Sequence, residues 1–254
     1  MKDPILIEAI KKEISQSGHS VSVRVSKILN SKGWYVQDST RYKVNETDSM
    51  FYEIDVFATK ESTFAGRSNN CLCIECKKQT GKNWVFFKQN KLNEDIYTLN
   101  CVTDDPDEYL LLDKIEKEKL FLTHHYYHKP LCTYYFISHM KPNERSEMID
   151  KGVDQVLRAV SFYVKRNWGY TRSEFFYPII VFDGNLFIAS LDGDEIDVEN
   201  CNHVSLYITR EFSKPYHATT NSLMLSKPYI IDIVRLDWFE TFLETSFPSN
   251  SSTD

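Results

Sequence analysis

Two carboxylates and one lysine are candidate functional residues, because each lies in an apolar segment with the composition of a strand. Asp55 falls within YEIDVFA at positions 52–58, and Glu75 and Lys77 fall within CLCIECK at positions 71–77. Side chains alternate between the two faces of a strand, so Glu75 and Lys77 are expected on one face, about 7 Å apart. If the two strands pair in antiparallel fashion, Asp55 lies beside Glu75. Charges within such strands are costly unless they are paired or bound to a metal.

These groups suit the hydrolysis of a phosphodiester bond. That reaction needs a divalent ion to neutralise charge on the phosphate and to lower the pKa of the attacking water. Mg²⁺, or Mn²⁺ in its place, takes oxygen ligands, typically one or two carboxylates with waters and phosphates. Asp55, Glu75 and the backbone carbonyl of Cys76 are therefore predicted ligands, and Lys77 is predicted to orient the water or stabilise the transition state. The alternative is an ordinary ion pair at a sheet edge.

Helices and strands are predicted on both sides of these residues. Apolar spacing predicts helices at 5–17 and 20–31 and a strand opening at 34–36. The later predictions are a strand at 132–139, a helix at 148–166, strands at 176–182, 186–190, 204–209 and 229–234, and a helix at 237–246. Asp183-Gly184-Asn185 predicts a tight hairpin. No linker is evident, so we predict a single domain over residues 1–248 and a mobile polar tail at 249–254.

The composition excludes some functional classes. The chain has 30 Lys and Arg against 36 Asp and Glu, a formal net charge of −6. This charge excludes binding to nucleic acid by overall charge but is compatible with a local basic groove. The apolar runs are of strand length, which predicts no membrane span and no membrane partner, and the N-terminus lacks a signal-peptide pattern. Six cysteines without a dense disulfide framework predict reduced thiols and a cytoplasmic location.

The order of these motifs resembles the PD-(D/E)XK, or restriction-endonuclease-like, nucleases. In a bacterial subgroup of that superfamily, a Gly-Trp-x-Val strand is followed by an (R/E)-E-I-D-V strand, an E-C-K-K strand and a W-V-F-F segment. This chain has, in the same order, GWYV at 33–36, YEIDV at 52–56, IECKK at 74–78 and WVFF at 84–87. The resemblance is strongest over residues 18–90 and continues weakly through 153–163, 177–190 and 231–243.

The resemblance implies an α/β fold with a mixed central β-sheet flanked by helices and with additional C-terminal strands. It also implies Mg²⁺-dependent endonuclease cleavage of DNA by Asp55, Glu75 and Lys77, with RNA not excluded and a homodimer possible. One position departs from the pattern, because the superfamily's helix acid, in Gly-x-x-x-Glu counted from Gly18, is Ser22 here. Glu13 is a possible substitute, although a partly buried acid paired with a lysine is the stronger interpretation of it.

A run of lysines after the second strand predicts a phosphate-contacting surface beside the site. No acid interrupts the segment from 77 to 93, which contains Lys77, Lys78, Lys82, Lys88 and Lys91. Trp84, interleaved with these lysines, is predicted to pack on a sugar or base. The alternative is a solvated face over core aromatic residues.

The helix at 148–166 contributes two further candidates. Gln155 is predicted to hold the water or a metal-binding acid, as a helix glutamine does in some members of the superfamily. Arg158, three residues later, is predicted to contact phosphate. For both residues the alternative is an exposed helix face that needs no functional explanation.

The remaining clusters give weaker indications. His124, His125 and His128 lack a further zinc ligand of fixed geometry, so an aromatic surface is the expectation. Cys73 and Cys76 on one strand should point to opposite faces, which opposes a shared metal. A second functional hypothesis, motivated by Ser22 and the acidic net charge, is a nuclease-like fold that binds nucleic acid or protein without cutting.

Overall fold

The computed structural model describes residues 4–43, 49–62, 68–89, 100–102, 124–128, 131–141, 146–166, 173–208 and 229–248, so the predicted tail at 249–254 lies outside them. The helices are α1 (Pro4–Gln16), α2 (His19–Ser31), α3 (His125–His128), α4 (Glu147–Arg166) and α5 (Phe239–Ser246), with a 3-10 turn at Leu236–Trp238. The strands are β1 (Tyr35–Tyr42), β2 (Tyr52–Ser62), β3 (Ser68–Lys88), β4 (Asn100–Val102), β5 (Leu131–Ser138), β6 (Ser173–Asp192), β7 (Glu195–Asn200), β8 (His203–Ile208) and β9 (Tyr229–Arg235). None of the described helices is long and apolar enough to cross a bilayer.

All the described strands join one mixed sheet. Its order is β1-β2-β3-β5-β8-β9-β6-β4, and β7 pairs with β6. β1, β2 and β3 form an antiparallel meander, as the candidate site requires. β3 also pairs in parallel with β6, and β6 pairs in parallel with β9. β3, which carries Glu75, therefore belongs to the most extensively paired part of the sheet, and β2, which carries Asp55, lies beside it.

Helices cover both faces of this sheet. On one face, α4 contributes Val153, Leu157 and Val160 to a buried core, at the spacing of an amphipathic helix. On the other face, α2 contributes Val25 and α5 contributes Phe242 to a second core. Each large apolar side chain buried in this way stabilises the fold by roughly 1.5–3 kcal/mol. The protein is thus mixed α/β, with a large mixed sheet flanked by helices, and this part of the predicted fold class is confirmed.

The predicted hairpin at Gly184 is wrong. β6 runs through this residue and pairs in parallel with β3 on both sides of it. A Cβ at Gly184 would lie 2.3 Å from the Phe182 ring, so the glycine permits a close approach and does not make a turn. β3 accommodates the mismatch with a register shift between Lys78 and Asn83, where Gly81 has a φ of +73°.

Helix α1 forms as predicted, but its apolar side chains stay exposed. Ile5, Leu6, Ile10 and Ile14 are between 45% and 81% exposed. Glu13 is exposed on the same helix. The prediction of Glu13 as a partly buried acid is therefore wrong.

Candidate active site

The candidate site forms where β2 and β3 stop pairing through their backbones. Their antiparallel register ends at Val56 opposite Ile74. Beyond that pair, the backbone amide of Cys76 donates to Asp55 Oδ2 at 2.7 Å, so a side-chain carboxylate replaces a backbone acceptor. Asp55 lies close enough to Glu75 for its negative charge to raise the pKa of Glu75, as expected from antiparallel pairing.

β2 is irregular at Asp55, and this irregularity positions the carboxylate. Ile54 and Val56 would share a face in a regular strand. Instead, Ile54 belongs to the core beneath α4, whereas Val56 belongs to the core beneath α2 and α5. On β1, Ser39 lies between Asp38 and Thr40, which pair with Val56 and Ile54, and it has a φ of +47°, which is uncommon for a residue other than glycine. Local irregularities of this kind re-aim side chains beside functional sites, and here the re-aimed side chain is Asp55.

Glu75, Lys77 and Gln155 form a connected group beside Asp55. Glu75 is only 4% exposed, and its Oε1 accepts a hydrogen bond from Lys77 Nζ at 2.6 Å. Lys77 Nζ also donates to Gln155 Oε1 on α4 at 2.7 Å. The predicted catalytic residues Asp55, Glu75, Lys77 and Gln155 are thus brought together at one place.

Gly152 makes room for this arrangement, and the sequence interpretation missed it. A Cβ at Gly152 would lie 3.3 Å from Lys77 Cε and 3.1 Å from Ile180 Cδ1. The stem of Lys77 therefore passes directly under the backbone of α4. The available signal was a glycine one turn before Gln155 within a helical pattern, where glycine costs about 1 kcal/mol relative to alanine.

The two carboxylates are electrostatically unfavourable as they stand. Burial raises the pKa of Glu75 to about 7, and the negative charge of Asp55 adds to that increase, while Lys77 opposes it. Burial also raises the pKa of Asp55, against the hydrogen bond from the Cys76 amide and the charge of Lys77. The negative charge of Glu53, two residues before Asp55 on β2, raises the pKa of both acids further. The site therefore holds more negative charge than one lysine neutralises.

The first turn of α2 lies against the same site. A Cβ at Gly18 would be 3.9 Å from the carbonyl oxygen of Cys76, and His19 lowers the pKa of Asp55 through its charge. Ser22, where the superfamily pattern has an acid, donates from its hydroxyl to the His19 carbonyl at 3.0 Å. His19 was missed from sequence because it lies before the apolar stripe of α2 and carries no motif of its own.

The donors present suit Mg²⁺ or Mn²⁺ without a third acidic side chain. Glu75 Oε2 is buried and has no hydrogen-bond partner among the described residues, which leaves one carboxylate oxygen available to a cation. Asp55 and the Cys76 carbonyl are the other oxygen donors next to it. No three His, Cys, Asp or Glu side chains within the described ranges are grouped to hold a metal ion. Mg²⁺ sites that act on phosphates typically use one or two carboxylates and complete their coordination with waters and phosphate oxygens.

The predicted phosphate-contacting residues differ in what they contact. Lys78 forms an ion pair with Asp183 at 2.9 Å, and Lys82 donates to the His139 carbonyl at 2.9 Å. Lys88 is exposed, while Lys91 lies outside the described residues. Arg158 stacks its guanidinium over the Tyr52 ring at 5.0 Å, on the same helix as Gln155.

Trp84 does not lie on a nucleic-acid-binding surface, so that prediction is wrong. The side chain is completely buried and stacks on Phe182 with ring centroids 3.9 Å apart. Its indole Nε1 donates to Gln79 Oε1 at 2.9 Å. The alternative interpretation of a core aromatic residue applies, because β3 continues through this segment between β5 and β6.

The expectation of an aromatic surface at His124 and His125 is also wrong. These residues are 7% and 6% exposed, and the side chain of His128 is outside the described residues. Asp232, completely buried on β9, accepts from His125 Nε2 at 2.9 Å and from His203 Nε2 at 2.7 Å. Burial alone would raise the pKa of Asp232, but the two histidines hold it below its usual value. The sequence interpretation missed Asp232 because its partners are distant in the chain.

The described cysteine side chains behave as expected. Cys73, Cys76, Cys132 and Cys201 are free thiols. Cys73 and Cys76 belong to the cores on opposite faces of the sheet, so the prediction that their side chains point to opposite faces is confirmed.

Comparison with known proteins does not assign this site. The grouping of Asp55, Glu75, Lys77 and Gln155 at the end of the β2–β3 pairing is therefore the feature from which a function is inferred. No protein-family model, curated protein or solved structure matches the chain.

Proposed function

We propose that this protein is a metal-dependent nuclease that hydrolyses phosphodiester bonds of DNA, with a restriction-endonuclease-like core. The observation that carries the proposal is the buried Glu75. Its Oε1 accepts a hydrogen bond from Lys77 Nζ at 2.6 Å. Its Oε2 has no hydrogen-bond partner among the described residues, and the charge of Asp55 acts on the same carboxylate. A cation between these acids would relieve the cost of keeping both ionised.

Asp55, Glu75 and the Cys76 carbonyl would hold Mg²⁺ or Mn²⁺. Such an ion, when bound, neutralises charge on the phosphate and lowers the pKa of a water. Asp55 would bind the ion through one carboxylate oxygen, while Asp55 Oδ2 continues to accept a hydrogen bond from the Cys76 amide. Two acids of raised pKa are suited to this role, because a cation restores their ionised forms at neutral pH.

Lys77 and Gln155 would organise the attack. Gln155 Oε1 and Glu75 Oε1 hold the Lys77 ammonium between them, so its third proton is available to a water or a phosphate oxygen. A fixed donor of this kind stabilises charge that develops in the transition state. Lys77 is 16% exposed in its side chain, which limits the access of bulk water that would screen this charge.

A cation beside the site supports DNA as the proposed substrate. The guanidinium of Arg158 lies over Tyr52 on the helix that also carries Gln155, whereas the exposed Lys88 lies at the far end of β3. Positive side chains of this kind contact the phosphate backbone without reading its sequence. A homodimer, in which each copy cuts one strand, is part of this proposal.

One observation favours a second candidate function, in which the fold binds nucleic acid or protein without cutting. The α2 position that has an acid in the superfamily pattern is Ser22, and its hydroxyl is bonded to the His19 carbonyl. A site that lacks this acid has one fewer group for a second ion or for the water.

A cleavage assay tests both candidates. The purified protein is incubated with supercoiled plasmid, linear duplex, single-stranded DNA and RNA, in Mg²⁺, in Mn²⁺ or in chelator. We expect metal-dependent cutting of DNA that Asp55→Asn and Lys77→Ala each abolish. Lys151→Ala is the matched control, because Lys151 is exposed on α4 and pairs only with Glu147 among the described acids. Cutting that survives in both site variants contradicts the proposal, and binding without cutting on every substrate favours the second candidate.

A further inference from the structure

The end of β6 and the first part of β7 project from the sheet as a two-stranded arm, while the last residues of β7 lie beside the part of β6 that still pairs with β3. The pairing of β6 with β3 ends at Phe87 opposite Ala189, whereas its pairing with β7 continues to Asp192 opposite Glu195. The turn between them contains Gly193 with a φ of +61°. Residues 191–200 are all exposed. The arm therefore contributes little to either core, and its side chains face solvent.

The outer edge of β7 carries backbone groups that no described strand uses. Within the described ranges, β7 pairs with β6 alone. The pair that closes a two-residue hairpin, here Asp192 and Glu195, exchanges its backbone hydrogen bonds, and such pairs alternate with pairs that do not. The amides and carbonyls of Ile196 and Val198 consequently point away from β6. An additional strand could pair with these two residues without displacing anything in the hairpin.

The two faces of β7 differ in chemistry. Ile196 and Val198 share one face and are 65% and 51% exposed. Glu195, Asp197 and Glu199 share the other face, because side chains alternate along a strand. An exposed edge with apolar side chains is a natural template for another strand. β7 thus offers an incoming segment both backbone hydrogen bonds and an apolar strip.

The charge of the arm selects the kind of segment that fits. The stretch from 190 to 200 contains no Lys or Arg and has five carboxylates, which are Asp192, Asp194, Glu195, Asp197 and Glu199. None of the ion pairs found among the described residues involves any of them. We propose that β7 is a docking edge for an extended, basic segment of a partner protein, which adds to the sheet as a further strand. Alternating basic and apolar side chains in that segment would match the two faces of β7.

Two other occupants fit less well. A second copy of this chain would bring β7 against β7, and like charges facing each other across paired strands are destabilising. A nucleic acid would bring phosphates to an acidic surface. The docking edge does not depend on the Asp55 site, so the failure of one proposal leaves the other in place.

Binding of a synthetic peptide to the folded protein tests the docking edge. The probe is a short fluorescent peptide of alternating lysine and valine, and the comparison probe alternates glutamate and valine. We expect saturable binding of the lysine peptide alone, measured by fluorescence anisotropy and weakened by salt.

Two variants separate the backbone and charge contributions. Val198→Pro removes an outward amide that β6 does not use and should weaken binding about tenfold, whereas Val198→Thr keeps the amide and should bind normally. Replacement of Glu195, Asp197 and Glu199 by lysine should abolish binding of the lysine peptide and create binding of the glutamate peptide. The proposal is overturned if the natural protein binds neither peptide or if Val198→Pro binds as tightly as Val198→Thr. It is also overturned if sedimentation shows a dimer that Val198→Pro dissociates, because the occupant is then a second copy.

Discussion

Replacing Glu75 with glutamine should make the metal-free protein more stable while it abolishes cleavage. Burial and Asp55 raise the pKa of Glu75 from its usual value of 4.5 to about 7. Above about pH 7 the carboxylate is ionised in both the folded and the unfolded chain, and the folded chain alone bears the cost of burying that charge. As the pH falls below about 7, the folded chain takes up a proton before the unfolded chain does, so stability rises until the pH approaches 4.5.

The size of the effect follows from the pKa shift. Each pKa unit corresponds to about 1.4 kcal/mol, so the ionised Glu75 costs the folded state about 3 kcal/mol at about pH 8. The side chain is only 5% exposed, so solvent screens little of this cost. Glutamine keeps the shape and the oxygen that accepts from Lys77 but carries no charge. At about pH 8 the variant should melt about 6 to 12 °C higher than the natural protein. This figure already includes the attraction to Lys77, because Lys77 lowers the pKa of Glu75.

Denaturant unfolding in chelator, at about pH 5 and about pH 8, measures this difference. The advantage of Glu75→Gln should be large at the higher pH and small at the lower one, and excess Mg²⁺ should reduce it by stabilising the natural protein alone. Glu147→Gln is the matched control, because Glu147 is an exposed acid paired with Lys151 and should show no such dependence. If the stability advantage of Glu75→Gln is absent or does not change with pH, the ionised Glu75 does not destabilise the folded protein and the reasoning is refuted.

Three further substitutions test other features of the structure. Gly152→Ala should reduce the cleavage rate constant, because the added Cβ would lie 3.3 Å from Lys77 Cε and displace Lys77. The melting temperature should change little. An unchanged cleavage rate would contradict the close packing of Lys77 against α4. Trp84→Ala should cost about 3–5 kcal/mol in urea unfolding and leave the DNA affinity of the folded protein unchanged, whereas lost affinity at normal stability would indicate a surface role. Asp232→Asn should destabilise the fold by about 3–5 kcal/mol because it leaves two buried histidines without their carboxylate; calorimetry measures this, and normal stability would show that the histidines are neutral and need no counter-charge.

The part of the site that the sequence predicts is the part that depends on local alternation. Glu75 and Lys77 are two residues apart on one strand, so the period of the strand alone puts them on the same face. The meander of β1, β2 and β3 follows because neighbouring apolar segments joined by short connections usually pair. The stripe on α4 follows from helical periodicity in the same way, and Gln155 lies on the helix that carries it.

The part that the sequence does not predict depends on contacts between distant segments. Trp84 looks like a surface aromatic residue among lysines, but its burial is decided by β6, about a hundred residues later in the chain. Gly184 has the signature of a turn, yet the adjacent β3 keeps β6 extended through it. The pairing of His125 with Asp232 spans 107 residues, and no local pattern reports it. Tertiary context overrides local propensity at each of these positions.

The hydrogen bond from the Cys76 amide to Asp55 gives this acid a structural role in addition to its proposed catalytic one. The carboxylate joins β2 to β3 as a backbone carbonyl would, and this duty remains whether or not any reaction takes place. Natural selection for a folded protein alone would therefore retain Asp55 in descendants that have lost catalysis. Lys77 and Gln155 have no comparable structural role in the pairing of the strands. If the reaction is lost during evolution, these two positions should therefore be substituted before Asp55.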